Sequence, residues 1–316
     1  MKKVLVTGAA GSIGNLVIKY LLSEGKYEIT AIDLKNKNTY QVLKRYRRRI
    51  NIIYGDITDP ILTDALVKDH DYIIHLAGVL PPLANINKEL MEVVDYKATE
   101  NIIRAMEFYN KNCELLYASS TSIYDNLKNS EVTIQSKTTT NNLDYYSQSK
   151  IDIEKMISKK HKNHIIFRLP LVLSDLSKND FLYNGVSNEY IEVITAEDAA
   201  YAFVKALDNV PSLNGKKYNL SGGESCRTTY KDILINILKY YGLSWRFIRS
   251  RLFNHKDFHG FIYKDSDKLE NILHFRNDSI LSYFMRQKRK HKNRKFNIIM
   301  AKPLLKLFYN NKEAKK

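Results

Sequence analysis

The chain has 316 residues, 44% of them apolar and 27% charged, enough to bury a large core in one α/β domain or one domain with a small added lobe. Its net charge of +16 is uneven: from Leu281 onward twelve Lys and Arg face one acid, Glu313, so the tail carries +11 and the rest of the chain only +5, which argues for a surface partner of the tail and against a basic enzyme core. Cys113 and Cys226 lack paired spacing and read as reduced core thiols, the eight histidines are too scattered to propose a metal site, and no apolar run approaches the roughly 18 residues that span a bilayer.

Residues 2 to 15 open with a short β-branched run that breaks into three glycines. Val4, Leu5 and Val6 read as a buried parallel strand, because a strand covered on both faces shows continuous apolar residues. Gly8 allows the tight turn, Gly11 lets backbone approach a pyrophosphate, and Gly14 lets the next helix lie against the strand. That helix, amphipathic through Ile13, Leu16, Val17, Tyr20 and Leu21, would present the N–H groups of its first turn, with Ser12 and Ile13, to phosphates. No 7-to-15-residue apolar region follows Lys2 and Lys3, so the start does not read as a signal peptide and a cytoplasmic location is expected.

Tyr27 to Asp33 is the second predicted strand, and Asp33 falls 19 residues after Gly14, at the distance where a carboxylate accepts hydrogen bonds from adenosine ribose hydroxyls and repels a 2′-phosphate. NAD is therefore favoured over NADP, although Lys35 and Lys37 follow closely. The block from Lys44 to Arg49 has no aromatic platform beside it and reads as a solvated connection, so no nucleic-acid partner is expected. Asn51 to Tyr54 and Tyr72 to His75 are further strands, with a short helix from Pro60 to Val67 between them and a small-residue break at Leu76, Ala77 and Gly78. One long helix is predicted over residues 87 to 109, then a strand from Glu114 to Ala118. Strands alternating with helices imply a Rossmann-type, doubly wound parallel sheet whose ligands collect at the carboxyl ends of the strands.

The fifth strand runs into Ser119-Ser120-Thr121-Ser122-Ile123-Tyr124, and a helix follows that carries Tyr146 and Lys150. Four residues apart, these two side chains share a helix face, so the ammonium can sit beside the phenol. A neighbouring cation and a cationic nicotinamide both favour phenolate, which would make Tyr146 a general base or acid for a substrate hydroxyl, with Ser120 holding the same oxygen.

With these motifs in order, residues 1 to about 225 resemble the extended short-chain dehydrogenase/reductases, in particular the nucleotide-sugar epimerases and dehydratases. The resemblance implies that Ser120, Tyr146 and Lys150 are catalytic, that Asp56 and Ile57 face the adenine, and that Leu76, Ala77 and Gly78 line the cofactor. It also implies that Arg168-Leu169-Pro170 flanks the nicotinamide and that Glu197-Asp198 is the family's acidic pair opening a helix. Asp95 and Ala98 stand where the family usually has Asn and Gly, Asp125 stands for a usual Gly, and no acidic pair follows Ser120, which disfavours elimination of water. Only 19 residues separate Pro170 from the strand beginning at Tyr190, so the substrate lobe is reduced. Phe181 to Tyr183 are candidates for its wall, and Arg246, Arg249 and Arg251 for gripping a diphosphate.

The expected organisation is an NAD-binding domain over 1–170, a reduced substrate lobe interleaved with the last sheet elements over 171–280, and a basic tail over 281–316. Seven Lys or Arg between Arg286 and Lys295, followed by Phe296, Ile299, Met300, Leu304, Leu307 and Phe308 at helical spacing, resemble a peripheral membrane contact, although Pro303 interrupts the helix. The expected activity is NAD-dependent epimerisation of a nucleotide- or lipid-diphosphate-linked hexose by a homodimer. A carbonyl reductase of the same family and a non-catalytic dinucleotide-binding protein at the membrane are the alternatives.

Overall fold

Val4, Leu5 and Val6 are fully buried because β1 (Lys2–Thr7) runs through the middle of a sheet covered on both faces. In this computed structural model, residues 1–81, 83–124, 131–138, 144–175, 190–240 and 260–290 are described. After β1 come α1 (Ser12–Glu24), β2 (Tyr27–Asp33), α2 (Lys37–Leu43), β3 (Asn51–Tyr54), α3 (Pro60–Lys68) and β4 (Tyr72–His75). The second half supplies α4 (Ala98–Tyr109), β5 (Glu114–Ser120), α5 (Tyr145–Lys160), β6 (His164–Leu169), α6 (Ala196–Asp208) and β7 (Lys216–Asn219). The seven strands pair in parallel in the order β7-β6-β5-β4-β1-β2-β3, so the winding reverses between β1 and β4 and a crevice opens at their carboxyl ends.

Strand periodicity assigns the helices to two layers. Val4 and Val6 pack with Val17, Ile18 and Leu21 of α1 and with Ala199, Phe203 and Leu207 of α6. Leu5, Ile73 and Leu115 point the other way, onto Leu66 of α3, Ile102 and Met106 of α4, and Ile153 and Ile157 of α5. Local chemistry sets the helix ends: Gly25, at φ +68°, closes α1 with its amide on the Leu21 carbonyl, and Asp59 caps α3 ahead of Pro60.

The helix expected over 87–109 is not continuous. An α-helical turn at Lys88–Met91 gives way to a π-helical turn at Glu92–Lys97 before α4 begins. The wide turn accommodates Asp95, whose carboxylate is held inside by the Val79 amide (2.7 Å) and the Lys150 ammonium (3.0 Å). The basic tail also differs from a free segment at its start. Ile280–Lys290 is a helix with Tyr283 and Gln287 buried, and the Tyr283 hydroxyl donates to the Ser174 carbonyl at 2.6 Å. The apolar positions from Phe296 to Phe308 lie outside the described residues. Among those described, no helix is long and apolar enough to cross a membrane.

A buried network joins β5, β6 and β7 behind the crevice. Arg168 donates to both carboxylate oxygens of Glu154 (2.9 and 2.8 Å) and to the Tyr124 hydroxyl (3.0 Å), which donates in turn to Asn219 (2.6 Å). Ser119 and Lys217 also donate to Glu154. Burial alone would raise the Glu154 carboxyl, but Arg168, Lys217 and Ser119 outweigh it and hold the group below the ordinary carboxylate range. A depressed carboxyl contributes stability above its unfolded value and loses it as pH falls through the folded one. Glu154→Ala should lower the unfolding free energy by about 3–5 kcal/mol, because it strands a buried guanidinium, and urea denaturation at neutral pH measures the difference.

Candidate active site

One continuous cleft of about 1670 Å³ runs along the carboxyl ends of the strands. Every residue expected from the sequence to hold the dinucleotide lines it: Gly8, Gly11, Ser12, Ile13 and Gly14 from the first turn, Asp33, Asp56 and Ile57 at the ends of β2 and β3, Leu76, Ala77 and Gly78 after β4, and Tyr146, Lys150 and Pro170. Ser120 lies in the same cleft, whereas Arg246, Arg249 and Arg251 fall outside the described residues, as do Phe181 and Tyr183. Glu197 and Asp198 open α6, and at the end of β6 Leu169 and Pro170 line the cleft while Arg168 turns away from it. Arg168 is buried against Glu154, and Asp198 accepts the Asn277 and Asp278 amides (both 3.1 Å). Burial pushes Asp198 up to about 7.

The glycines are required by close approach. A side chain at Gly8, where φ is +62°, would come within 2.8 Å of the Ala77 nitrogen, and one at Gly14 within 2.3 Å of the Gly8 carbonyl oxygen. No side chain caps α1 at Gly11 and its first turn holds no acid, so the end of a 13-residue helix faces the cleft with its positive dipole. These features fit the diphosphate of a dinucleotide. Asp33 stands at the cleft end of β2, with one carboxylate oxygen accepting the Ala10 amide (2.8 Å) and the other the Leu34 amide (2.8 Å). Lys35 and Lys37 do not line the cleft; Arg45 does, beside Asn38 and Thr39, from a basic block that is itself exposed to solvent.

A hydrogen-bond chain fastens the end of β4 to the glycine turn. The Thr99 hydroxyl donates to the Asp95 carbonyl (2.6 Å), so His75 Nε2, 3.1 Å away, is the donor to Thr99. His75 Nδ1 then accepts the Thr7 hydroxyl (2.7 Å), whose oxygen accepts the Leu76 and Ala77 amides. Complete burial holds His75 down to about 3, so this link stays neutral across the physiological range.

Tyr146 and Lys150 share a face of α5, with the ammonium 5.5 Å from the phenol ring centre. Ser120 lines the same cleft and pulls the Tyr146 phenol downward, while its hydroxyl donates to Ser122 at 3.0 Å, so the three predicted groups share one site. Three further groups occupy the ammonium: Asp95 Oδ1 and the Tyr117 hydroxyl, both at 3.0 Å, and the Ala118 carbonyl at 3.4 Å. Burial works against the charge of Lys150, but Tyr117, Asp95 and Tyr146 outweigh it and hold the ammonium well above its ordinary range. Tyr146 differs from the sequence expectation. Burial drives its phenol upward, Lys150 and Ser120 pull it down, Asp95 opposes them, and the net direction is up. Burial is the largest cause, and the cation expected to acidify the phenol is in addition shared with a carboxylate. Asp95 and Tyr117 were not legible as Lys150 partners; only the unusual acid at position 95 signalled them.

Fold and cleft define a doubly wound α/β protein of the dinucleotide-binding class, with Ser120, Tyr146 and Lys150 in its cleft. The chain belongs to the NAD dependent epimerase/dehydratase family, whose sequence model matches residues 4–221. The CDP-paratose 2-epimerase of Salmonella typhi is 28% identical over 131 residues, 40% of this chain, and that match spans only 39% of the relative. A sterol-4-alpha-carboxylate 3-dehydrogenase of Dictyostelium discoideum is 23% identical over 271 residues, 77% of this chain and 78% of the relative. Among solved structures, UDP-glucuronic acid 4-epimerase from Bacillus cereus in complex with NAD superposes with a TM-score of 0.71 at 20% identity, covering 92% of this chain and 99% of that one.

Asp33→Ala should weaken NAD binding by about tenfold and narrow the preference over NADP, since a hydrogen bond to a carboxylate is worth about 1.5–3 kcal/mol. Fluorescence titration with both dinucleotides measures this, and an unchanged ratio of the two Kd values would show that Asp33 does not read the ribose.

Proposed function

We propose that this protein is an NAD-dependent epimerase acting on a hexose linked to a nucleotide or lipid diphosphate, through a transient keto sugar. The observation that carries the reading is the meeting of Ser120, Tyr146 and Lys150 in the same cleft as the glycine turn. Tyr146 takes the proton of a sugar hydroxyl and later returns it, and Ser120 holds the same oxygen. The chemistry that NAD supplies when bound is reversible acceptance of a hydride from the carbon bearing that hydroxyl. Lys150 stabilises the phenolate, and its contact to the Ala118 carbonyl, the longest of its three, is the one a ribose hydroxyl would replace. Ser119, Ser120, Thr121 and Ser122 line the cleft without an acid among them, which supports hydride chemistry without elimination of water.

A second reading, a dinucleotide-dependent carbonyl reductase or alcohol dehydrogenase, is favoured by the cleft mouth. Leu80, Pro81, Ile86, Leu90 and Val94 line it, with Leu80 62% and Ile86 78% exposed, and an apolar substrate would cover them. The long match to a sterol dehydrogenase points the same way. Anaerobic incubation with UDP-hexoses separates the two: the epimerase converts substrate with no added reductant and no net change at 340 nm, whereas stoichiometric use of reduced cofactor establishes the reductase. Tyr146→Phe should lower either activity by about 10²–10⁴-fold, and unaltered function in that variant would support the non-catalytic alternative.

The basic tail supports a peripheral membrane contact that would bring the site to a lipid-linked sugar. Because Tyr283 is buried, the informative truncation ends at Lys290. The full chain is expected to float with anionic liposomes and the truncated one to remain behind, and equal recovery of both in the liposome-free fraction would remove the membrane from the reading.

A further inference from the structure

Behind Tyr146 the structure holds an ion pair that a working acid–base centre does not require. Asp95 and Lys150 meet at 3.0 Å with their side chains only 1% and 6% exposed, so neither charge is diluted by solvent. Asp95 is fixed on its other oxygen by the Val79 amide at 2.7 Å, and the chain passes over it at Gly78, where a side chain would come within 2.9 Å of Asp95 Oδ1. The carboxylate cannot swing away. The ammonium is thereby tied to Asp95 and Tyr117 while it lies 5.5 Å from the Tyr146 ring centre.

We propose that Asp95 is a positioning residue of this site: it draws the Lys150 ammonium onto its own carboxylate, so that proton transfer at Tyr146 needs a more alkaline medium than a neutral side chain at position 95 would require. The proposal rests on Tyr146 being the acid–base group. Among the described residues, the charged and titratable groups that bear on Tyr146 are few. They are Lys150 on its own helix, Asp144 at the helix cap, Asp95 on the π turn, and Tyr117 on β5, with His75 5.8 Å behind Tyr117. His75 is neutral and Tyr117 is driven upward by burial, so Lys150 and Asp95 are the opposing charges that act most strongly on the phenol. Removing the negative member leaves Lys150 acting alone, and an opposite charge at this range lowers an acid by about one unit or more.

The test is spectrophotometric titration of tyrosinate in the NAD-saturated full chain, which requires no substrate. It compares the unaltered protein with Asp95→Asn, each beside its own Tyr146→Phe control. The tyrosine lost in the controls is expected to titrate about one unit lower in Asp95→Asn, roughly tenfold more phenolate at a pH below both midpoints. Asp95→Glu retains the charge and should keep the unaltered midpoint, which separates charge from packing. Should Asp95→Asn fail to fold by circular dichroism, an Asp95→Ser chain gives the same comparison. Coincident midpoints would overturn the role of Asp95 and leave Tyr146 as the acid–base group. A titration curve indifferent to Tyr146→Phe would overturn the reading of Tyr146 and the proposal together.

Discussion

An ammonium buried as deeply as Lys150 is tolerated only where its lost hydration is replaced, since desolvation of an ion in a protein interior costs several kcal/mol. The replacement here comes from three places in the chain: a carboxylate on the π turn, a hydroxyl on β5 and the carbonyl of Ala118. Each must be present for the others to hold. The π turn aims Asp95, Gly78 makes room for it, the Val79 amide fixes it, and the end of β4 is thereby set against α5. Through Thr99 and His75 the same turn reaches Thr7, and so the glycine loop. The glycine turn and the Tyr146–Lys150 face of the cleft are therefore one connected polar structure.

A second buried charge cluster does similar work on the outer strands. Glu154 of α5 collects Ser119, Arg168 and Lys217, and Arg168 hands the connection on to Tyr124 and Asn219. Since Ser119 precedes Ser120 and Glu154 lies one helical turn beyond Lys150, this network fixes the segment carrying the hydroxyl relative to the helix carrying the phenol. It accounts for the burial of Arg168 beside the strand end at Leu169 and Pro170, and it connects β7 and the residues after it to the site.

Much of the fold was readable because its signals are local. A strand buried on both faces is continuously apolar, a helix beginning at Asp59-Pro60 announces its cap, and three glycines before an amphipathic helix have few other uses. Tyr146 and Lys150 were readable as partners because helix geometry relates positions four apart. The π turn was not readable, since the apolar spacing from Leu90 to Met106 is that of an ordinary helix. Arg45 was missed for a related reason: a basic block looks the same whether or not a cleft lies beside it, and only the placing of the turn after α2, where Arg45 donates to Asn15 of α1, decides which.

What the sequence determined by itself is therefore the set of parts: a parallel sheet, a phosphate-binding turn, an acid ending β2, and a phenol with an ammonium on one helix face. What tertiary structure alone decided is the electrostatic balance among them. The sequence puts the Lys150 charge beside Tyr146, but Asp95, 55 residues earlier in the chain, meets that charge first. Coulombic energy depends on distance and local dielectric, and neither is encoded in sequence separation. The structure thus turns a lysine expected to acidify a tyrosine into one shared between the tyrosine and a buried carboxylate.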